Sequence, residues 1–207
     1  MASLGPTDGG EPLLSVRALS FRFTERVLFE RLSFDIGPGL TLVTGGSGAG
    51  KTTLLELMAN VRAPTGGEVS GPSSPVHWEG HFRAVADTSP VRAWFGYVPA
   101  RFPDWNAGLE VALCAAFGLD SHRDKALYML SRGSRRKLQV VSAFACQAPV
   151  ALLDTPFAAL DAASRGLLGE LLAEAAEHPR RAWVISGFEC PAVLSNVVFS
   201  DVIDLAG

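Results

Sequence analysis

The sequence predicts one α/β domain: a parallel sheet crossed by helices, with short antiparallel strands ahead of it. Three observations carry that expectation. From Leu13 to Thr44 apolar residues recur in short alternating runs broken at Gly37-Pro38-Gly39. A buried strand, Leu40-Thr41-Leu42-Val43, then runs into a glycine-rich turn and a helical stretch, Thr52 to Asn60, that stops before Pro64. Toward the C-terminus, apolar runs at 150–153, 182–185 and 197–199 surround a Leu/Ala/Glu-rich helix at 163–177, the arrangement of parallel strands joined by crossover helices.

Each segment follows from its composition. Residues 1–12 are rich in Gly, Pro, Ser and Asp without periodicity, which reads as a flexible leader ahead of a single domain over 13–207. Residues 61–93 hold Gly66-Gly67, Gly71-Pro72 and Pro90 and read as turns and short strands. From 107 to 147 the pattern turns helical, through Leu109, Leu113, Phe117, Leu127, Leu138, Val141 and Phe144. The length, 207 residues, suits one large domain at about 150 residues for an average one. A net charge of −3 gives no electrostatic reason to expect nucleic acid as a partner. Cys114, Cys146 and Cys190 are odd in number and lie among apolar neighbours, which reads as reduced core thiols. The N-terminus has neither the basic nor the apolar region of a signal peptide, and no run of 18 apolar residues occurs.

Residues 45–52, Gly45-Gly46-Ser47-Gly48-Ala49-Gly50-Lys51-Thr52, fit G-x-x-x-x-G-K-[ST] in full, between a strand and a helix as a phosphate-binding P-loop requires. The glycines let successive N–H groups converge on phosphate oxygens, Lys51 supplies charge for the β- and γ-phosphates, and the hydroxyl of Thr52 is a ligand for Mg²⁺. Val150-Ala151-Leu152-Leu153-Asp154 is an apolar strand ending in an acid, where a second Mg²⁺ ligand is expected in such folds.

Between these elements stand Leu130-Ser131-Arg132-Gly133-Ser134 and, after the acid, Thr155-Pro156-Phe157-Ala158-Ala159-Leu160-Asp161. Earlier come Leu19-Ser20-Phe21-Arg22-Phe23 and Pro64-Thr65-Gly66-Gly67-Glu68-Val69. Together they resemble the nucleotide-binding domain of the ATP-binding cassette (ABC) family, across about residues 13–205. The resemblance implies a P-loop NTPase core with a mixed, mainly parallel sheet, an N-terminal antiparallel β-subdomain and a helical subdomain, here near 101–140 and short for the family. It also implies that adenine stacks on Phe23 and that Gly45 to Thr53 hold the phosphates of ATP, with Mg²⁺ on Thr52 and Asp154. Ser131, Gly133 and Asp161 would meet the nucleotide of a second cassette in a head-to-tail homodimer or heterodimer.

The chain departs from the family at three positions. Ala100 closes Gly96-Tyr97-Val98-Pro99-Ala100, where the family usually ends in Gln; Thr155 follows Asp154 where a catalytic Glu is usual; Gly187 follows Ser186 where a His is usual. Groups that bind nucleotide are kept while those tied to hydrolysis are lost, so ATP binding with weak turnover is expected. The resemblance places the chain in the cytoplasm, on the inner face of a membrane, powering transport through separate membrane-spanning subunits. The alternative is a non-catalytic ATP-dependent regulatory module acting through dimerisation. His77 and His81 stand four apart, but Gly80 and nearby prolines argue against the helix that would align them on zinc. Arg132, Arg135, Arg136 and Lys137 read as a solvated helix face, and Phe102, Trp105 and Phe117 as core.

Overall fold

A computed structural model describes residues 11–78, 80 and 85–205. The expected leader lies outside them except for Glu11 and Pro12. Two sheets form. The first is antiparallel, in the order β2 (Arg26–Ile36), β1 (Leu14–Phe23), β4 (Gly66–Ser70). The second has β5 (His77–Trp78), β6 (Val150–Leu153), β7 (Ala182–Ser186), β3 (Gly39–Thr44) and β8 (Asp201–Asp204) side by side in that order, and its pairings are all parallel.

The strands of the parallel sheet are buried on both faces, which is why they read as unbroken apolar runs. Side chains alternate by two. Leu40, Leu42, Ala151, Leu153, Trp183 and Ile185 face one apolar cluster, and Val43, Val150, Leu152, Ala182 and Val184 face another. Against the first face pack α4 (Arg132–Ala145), through Leu138, Val141 and Phe144, and α5 (Ala162–Ala176), through Leu168 and Leu172. Against the second lies α1 (Lys51–Met58), burying Leu54, Leu55, Leu57 and Met58 beside Leu14, Val16 and Phe29 of the antiparallel sheet. Truncating any one of these leucines to Ala would cost about 2–5 kcal/mol. Glu170, Glu174 and Glu177 are exposed, as the spacing along α5 requires.

From residue 91 to 145 the chain is largely helical: α2 (Val91–Tyr97), α3 (Ala107–Ala116) and α4, linked by short 3₁₀ turns. Phe102 and Phe117 are core residues there and Trp105 packs against them.

Three details differ from the sequence-based expectation. Residues 197–199 form no strand: Val198 is 84% exposed while Val197 and Phe199 lean on the core, and the last strand is β8. A three-residue apolar run lacks the length to separate a strand from a loop with alternating contacts. Cys190 is exposed, whereas Cys114 and Cys146 are buried and their thiols are pushed up to about 11, in both cases chiefly by burial. The basic cluster on α4 is drawn into pairs, Arg135 with Asp87 at 2.9 Å and Lys137 with Asp161 at 2.8 Å, instead of facing only solvent.

Candidate functional site

In a parallel sheet, ligands collect beyond the carboxyl ends of the strands. Here β6, β7 and β3 are neighbours, with Leu153 opposite Ile185 and Ser186 opposite Val43. That register lines up three strand ends: Asp154 after β6, Ser186 and Gly187 at the end of β7, and the glycine loop after β3.

The loop has the backbone its composition demands. Gly45, Gly48 and Gly50 have φ of 147°, 76° and 103°, where a side chain is strained, and a Cβ on Gly50 would lie 2.7 Å from the ring of Phe29. Gly50 caps α1 with no side-chain acceptor, and no acid stands in that helix's first turn, so its terminal N–H groups meet no competing carboxylate from the helix itself. Lys51 is buried at 8% exposure and turns back over the loop. Its Nζ donates to the carbonyls of Gly45 (2.5 Å) and Gly46 (2.8 Å), with the ring of Phe188 at 4.6 Å. Loop carbonyls and an aromatic face thus occupy the ammonium group that a phosphate would take over.

Beside the loop is a pocket of about 290 Å³, walled by Gly48, Gly50, Lys51, Thr52 and Thr53 on one side and by Phe23, Arg26 and Leu28 of the β1–β2 hairpin on the other. Phe23 is not core: the residue is 46% exposed, its ring set edge-on to Phe21 at 5.1 Å, with the Arg62 guanidinium 5.8 Å away. A half-exposed aromatic ring lining a pocket beside a glycine loop is a surface for stacking a planar base.

Thr52 donates from Oγ1 to Asp154 Oδ2 at 2.6 Å, although 102 positions separate them. A hydroxyl and a carboxylate in contact form a hard-oxygen donor pair of the kind that suits Mg²⁺, which takes one or two protein oxygens and fills its octahedron with phosphate and water. Among the described residues no three His, Cys, Asp or Glu side chains cluster as a protein-only metal site; His77 lies in β5 and is buried, and His81 is outside the described residues.

Sequence reasoning misses Ser186, which stands out along the chain only as the neighbour of Gly187. Its buried Oγ donates to Asp154 Oδ1 at 2.5 Å and accepts the N–H of Thr155 at 2.9 Å, joining β7 to both residues at the end of β6. A serine closing an apolar strand next to the P-loop strand is a weak signal, legible only once strand order is known. Thr155 has φ 47°, left-handed backbone that a β-branched residue rarely adopts. Gly187 donates to Val43 O at 3.0 Å, and a Cβ there would stand 2.9 Å from Glu189 O, so the local backbone is shaped to a residue without a side chain.

Ala100 does not follow a strand. Residues 91–97 are α2 and Pro99–Arg101 a 3₁₀ turn, because Val91, Trp94, Phe95 and Val98 bury at helical spacing. The strand flanking β6 is β5, and the chain leaves β5 through residues 79–84, of which only Gly80 is described. Ala100, expected at the Gln position, thus lies in the helical layer, in the turn that follows α2.

The second group of expected site residues converges elsewhere. Ser131 is the N-cap of α4, accepting from Ser134 N–H at 3.0 Å, and Asp161 is the N-cap of α5, accepting from Ser164 N–H at 2.8 Å. Gly133 packs so tightly on the Ala159 carbonyl that a Cβ would be 2.5 Å from it. The hydrogen bond from Lys137, then that from Ser164 N–H, hold the Asp161 carboxyl far below the usual carboxylate range. Ser131 and Asp161 remain exposed while performing these capping roles.

Residues 29–158 match the family described as "ABC transporter". The cytochrome c biogenesis ATP-binding export protein CcmA of Hyphomonas neptunium is 32% identical over 163 residues, 78% of this chain and 82% of that protein. A CcmA protein of Salmonella paratyphi A is 36% identical over 165 residues, covering 72% and 77%. Among solved structures, the ATP-binding subunit of an ABC transporter superposes with a TM-score of 0.74 at 20% identity, covering 93% of this chain and 86% of that one. An ABC transporter ATP-binding protein from Pyrococcus furiosus gives 0.70 at 22% identity, covering 93% and 96%; at such identity these two show the fold alone. With the glycine loop, the Thr52–Asp154 pair and the two-sheet architecture already in place, the family match and the curated relatives settle the matter: the chain belongs to the ABC transporter family, as an ATP-binding component.

Proposed function

We propose that this chain binds Mg-ATP in the pocket between the β1–β2 hairpin and the glycine loop, and that nucleotide binding closes it against a second cassette to drive transport through separate membrane-spanning chains. The observation that carries this is the pocket itself: a half-exposed aromatic ring on one wall, Lys51 and the glycine loop on the other, and the Thr52–Asp154 oxygen pair beside them. Phe23 stacks the adenine and residues 45–53 hold the phosphates, with the Lys51 ammonium exchanging its carbonyl partners for phosphate oxygens. Thr52 and Asp154 hold Mg²⁺, which when bound neutralises phosphate charge. Ser131, Gly133 and Asp161 lie on the face offered to the partner's nucleotide, and the second cassette is an identical copy or a different one. No helix among the described residues is long and apolar enough to cross a membrane, in keeping with a cassette at the inner membrane face served by separate spanning subunits. The names of the relatives point to export as the direction, which we adopt for this chain.

Turnover at this chain's own site is weak in this reading. The Thr155 hydroxyl cannot take a proton from an attacking water near neutral pH, and a positioned base is worth about 10²–10⁴-fold, roughly 3–5 kcal/mol of barrier. Gly187 places no imidazole near the phosphates. In this reading one domain spans 13–207, with the helical subdomain near 101–140.

The test measures Mg-ATP binding and steady turnover side by side, with Lys51→Ala as control. Binding lost in Lys51→Ala, with turnover no higher than that control, is the expected result. Turnover well above the control would refute weak hydrolysis, and absence of binding would refute the nucleotide site. Co-purification with a multi-span protein is expected; soluble partners alone would favour the regulatory module, which the loss of Glu and His at 155 and 187 also suits.

A further inference from the structure

Arg26 opens β2 and is paired in the ladder with Phe23 across the two-residue turn Thr24-Glu25. Directly opposed residues of an antiparallel ladder share a face of the sheet, so the side chains of Phe23 and Arg26 leave the hairpin tip on the same side, and both line one pocket. That tip overhangs the glycine loop. A methyl built on Gly48 would lie 3.5 Å from Arg26 Nη1 and within 4 Å of nothing else, and Arg26 lines the same pocket as Phe23 and Lys51.

The charge balance there is one-sided. Arg17, Arg62, Arg92, Arg123 and Arg135 each hold a carboxylate, whereas Arg26 makes no ion pair or side-chain hydrogen bond among the described residues. No acid lines the pocket, whose charged groups are Lys51, buried, and Arg26, exposed. An exposed guanidinium with unspent donors, set between a base-stacking ring and a phosphate loop, matches the bidentate geometry of a phosphate group.

We propose that Arg26 is a second phosphate-binding side chain of the nucleotide site, gripping the polyphosphate of a nucleoside di- or triphosphate whose base lies on Phe23. This rests on the Mg-ATP reading above. Because Arg26 is exposed and holds no carboxylate, its replacement leaves the thermal midpoint unchanged, which separates a binding role from a structural one.

The experiment is calorimetric titration of Mg-ATP and Mg-ADP into the unsubstituted chain, Arg26→Gln, Arg26→Lys and Lys51→Ala at low and high salt, with inorganic tripolyphosphate as competitor. Arg26→Gln is expected to weaken both nucleotides and tripolyphosphate about 10-fold at low salt, less at high salt, with Arg26→Lys between. Nucleotide affinities within twofold of the unsubstituted chain would overturn the proposal. So would weakened ATP with unchanged tripolyphosphate, which would put Arg26 on the base. No Mg-ATP binding by the unsubstituted chain would overturn the nucleotide site itself and Arg26 with it, an outcome distinct from both.

Discussion

Replacing Ser186 by Ala removes one oxygen and leaves the rest of the side chain, so its effect is almost wholly the loss of two hydrogen bonds. The residue is 3% exposed, and its hydroxyl donates to Asp154 at 2.5 Å and accepts from Thr155 N–H at 2.9 Å. A hydrogen bond to a charged group is worth about 1.5–3 kcal/mol, and a buried N–H left without an acceptor costs about 1–3 kcal/mol. Asp154 and Thr155 are half-buried, so water recovers part of both, and Asp154 keeps its bond from Thr52. The expected loss is about 2–3 kcal/mol, or about 5–10 °C in Tm at roughly 2–4 °C per kcal/mol for a chain of this size. Urea unfolding followed by tryptophan fluorescence should show a lower midpoint with an unchanged slope. Ser200→Ala, whose hydroxyl reaches Thr41 Oγ1 only at 3.4 Å, is the near-neutral control. Thr52→Ala should combine non-additively with Ser186→Ala, because both hydroxyls hold one carboxylate. A loss below about 0.5 kcal/mol, or strict additivity, would refute the idea that Ser186 organises the strand ends.

Thr155→Gly is expected to leave stability unchanged or raise it by up to about 1 kcal/mol, because the φ of 47° is strained for threonine and open to glycine; a loss of that size in urea unfolding would contradict it. Thiol titration should find one fast-reacting cysteine, the exposed Cys190, and three after denaturation, since burial pushes Cys114 and Cys146 up to about 11; three fast thiols in the native chain would overturn the core packing around α3 and α4. His178 titrates below its ordinary value of 6.5 because of burial and then Arg181 and Arg180, and its Nδ1 accepts the N–H groups of both arginines; His122 is lowered by burial and by Lys125 and Lys137. Because the folded value lies below the unfolded one, the unfolded chain takes up protons first as pH drops through 6.5, so stability should fall from pH 7.5 to 5.5 and fall less in His178→Gln. Greater stability at pH 5.5 would refute this.

The glycine loop was legible in the sequence because its physics is local. Eight consecutive residues contain every φ requirement and the lysine that folds back over them, and the strand before and helix after are short-range patterns. The buried strands 150–153 and 182–185 were legible for the same reason, as unbroken apolar runs between turn residues. Residues 91–98 carried a readable signal too: Val91, Trp94, Phe95 and Val98 stand at i, i+3, i+4 and i+7, and that helical period places Gly96-Tyr97-Val98-Pro99 at the end of a helix.

What no local pattern encodes is strand order. Asp154 stands 102 positions from Thr52 and 32 from Ser186, and the three meet only because β6, β7 and β3 are adjacent and in parallel register. Arg26 was invisible for a related reason: one arginine in an exposed hairpin has no periodic signature, and its significance comes from the packing that folds the antiparallel sheet over α1 and so brings the hairpin tip to Gly48. The sequence by itself determined the phosphate loop and the long apolar strands, whose causes lie within a turn or a strand of each other, but not the helix at 91–97 or the loop at 197–199. The tertiary structure decided which side chains share the site, because burying both faces of the parallel sheet at once is a property of the whole chain.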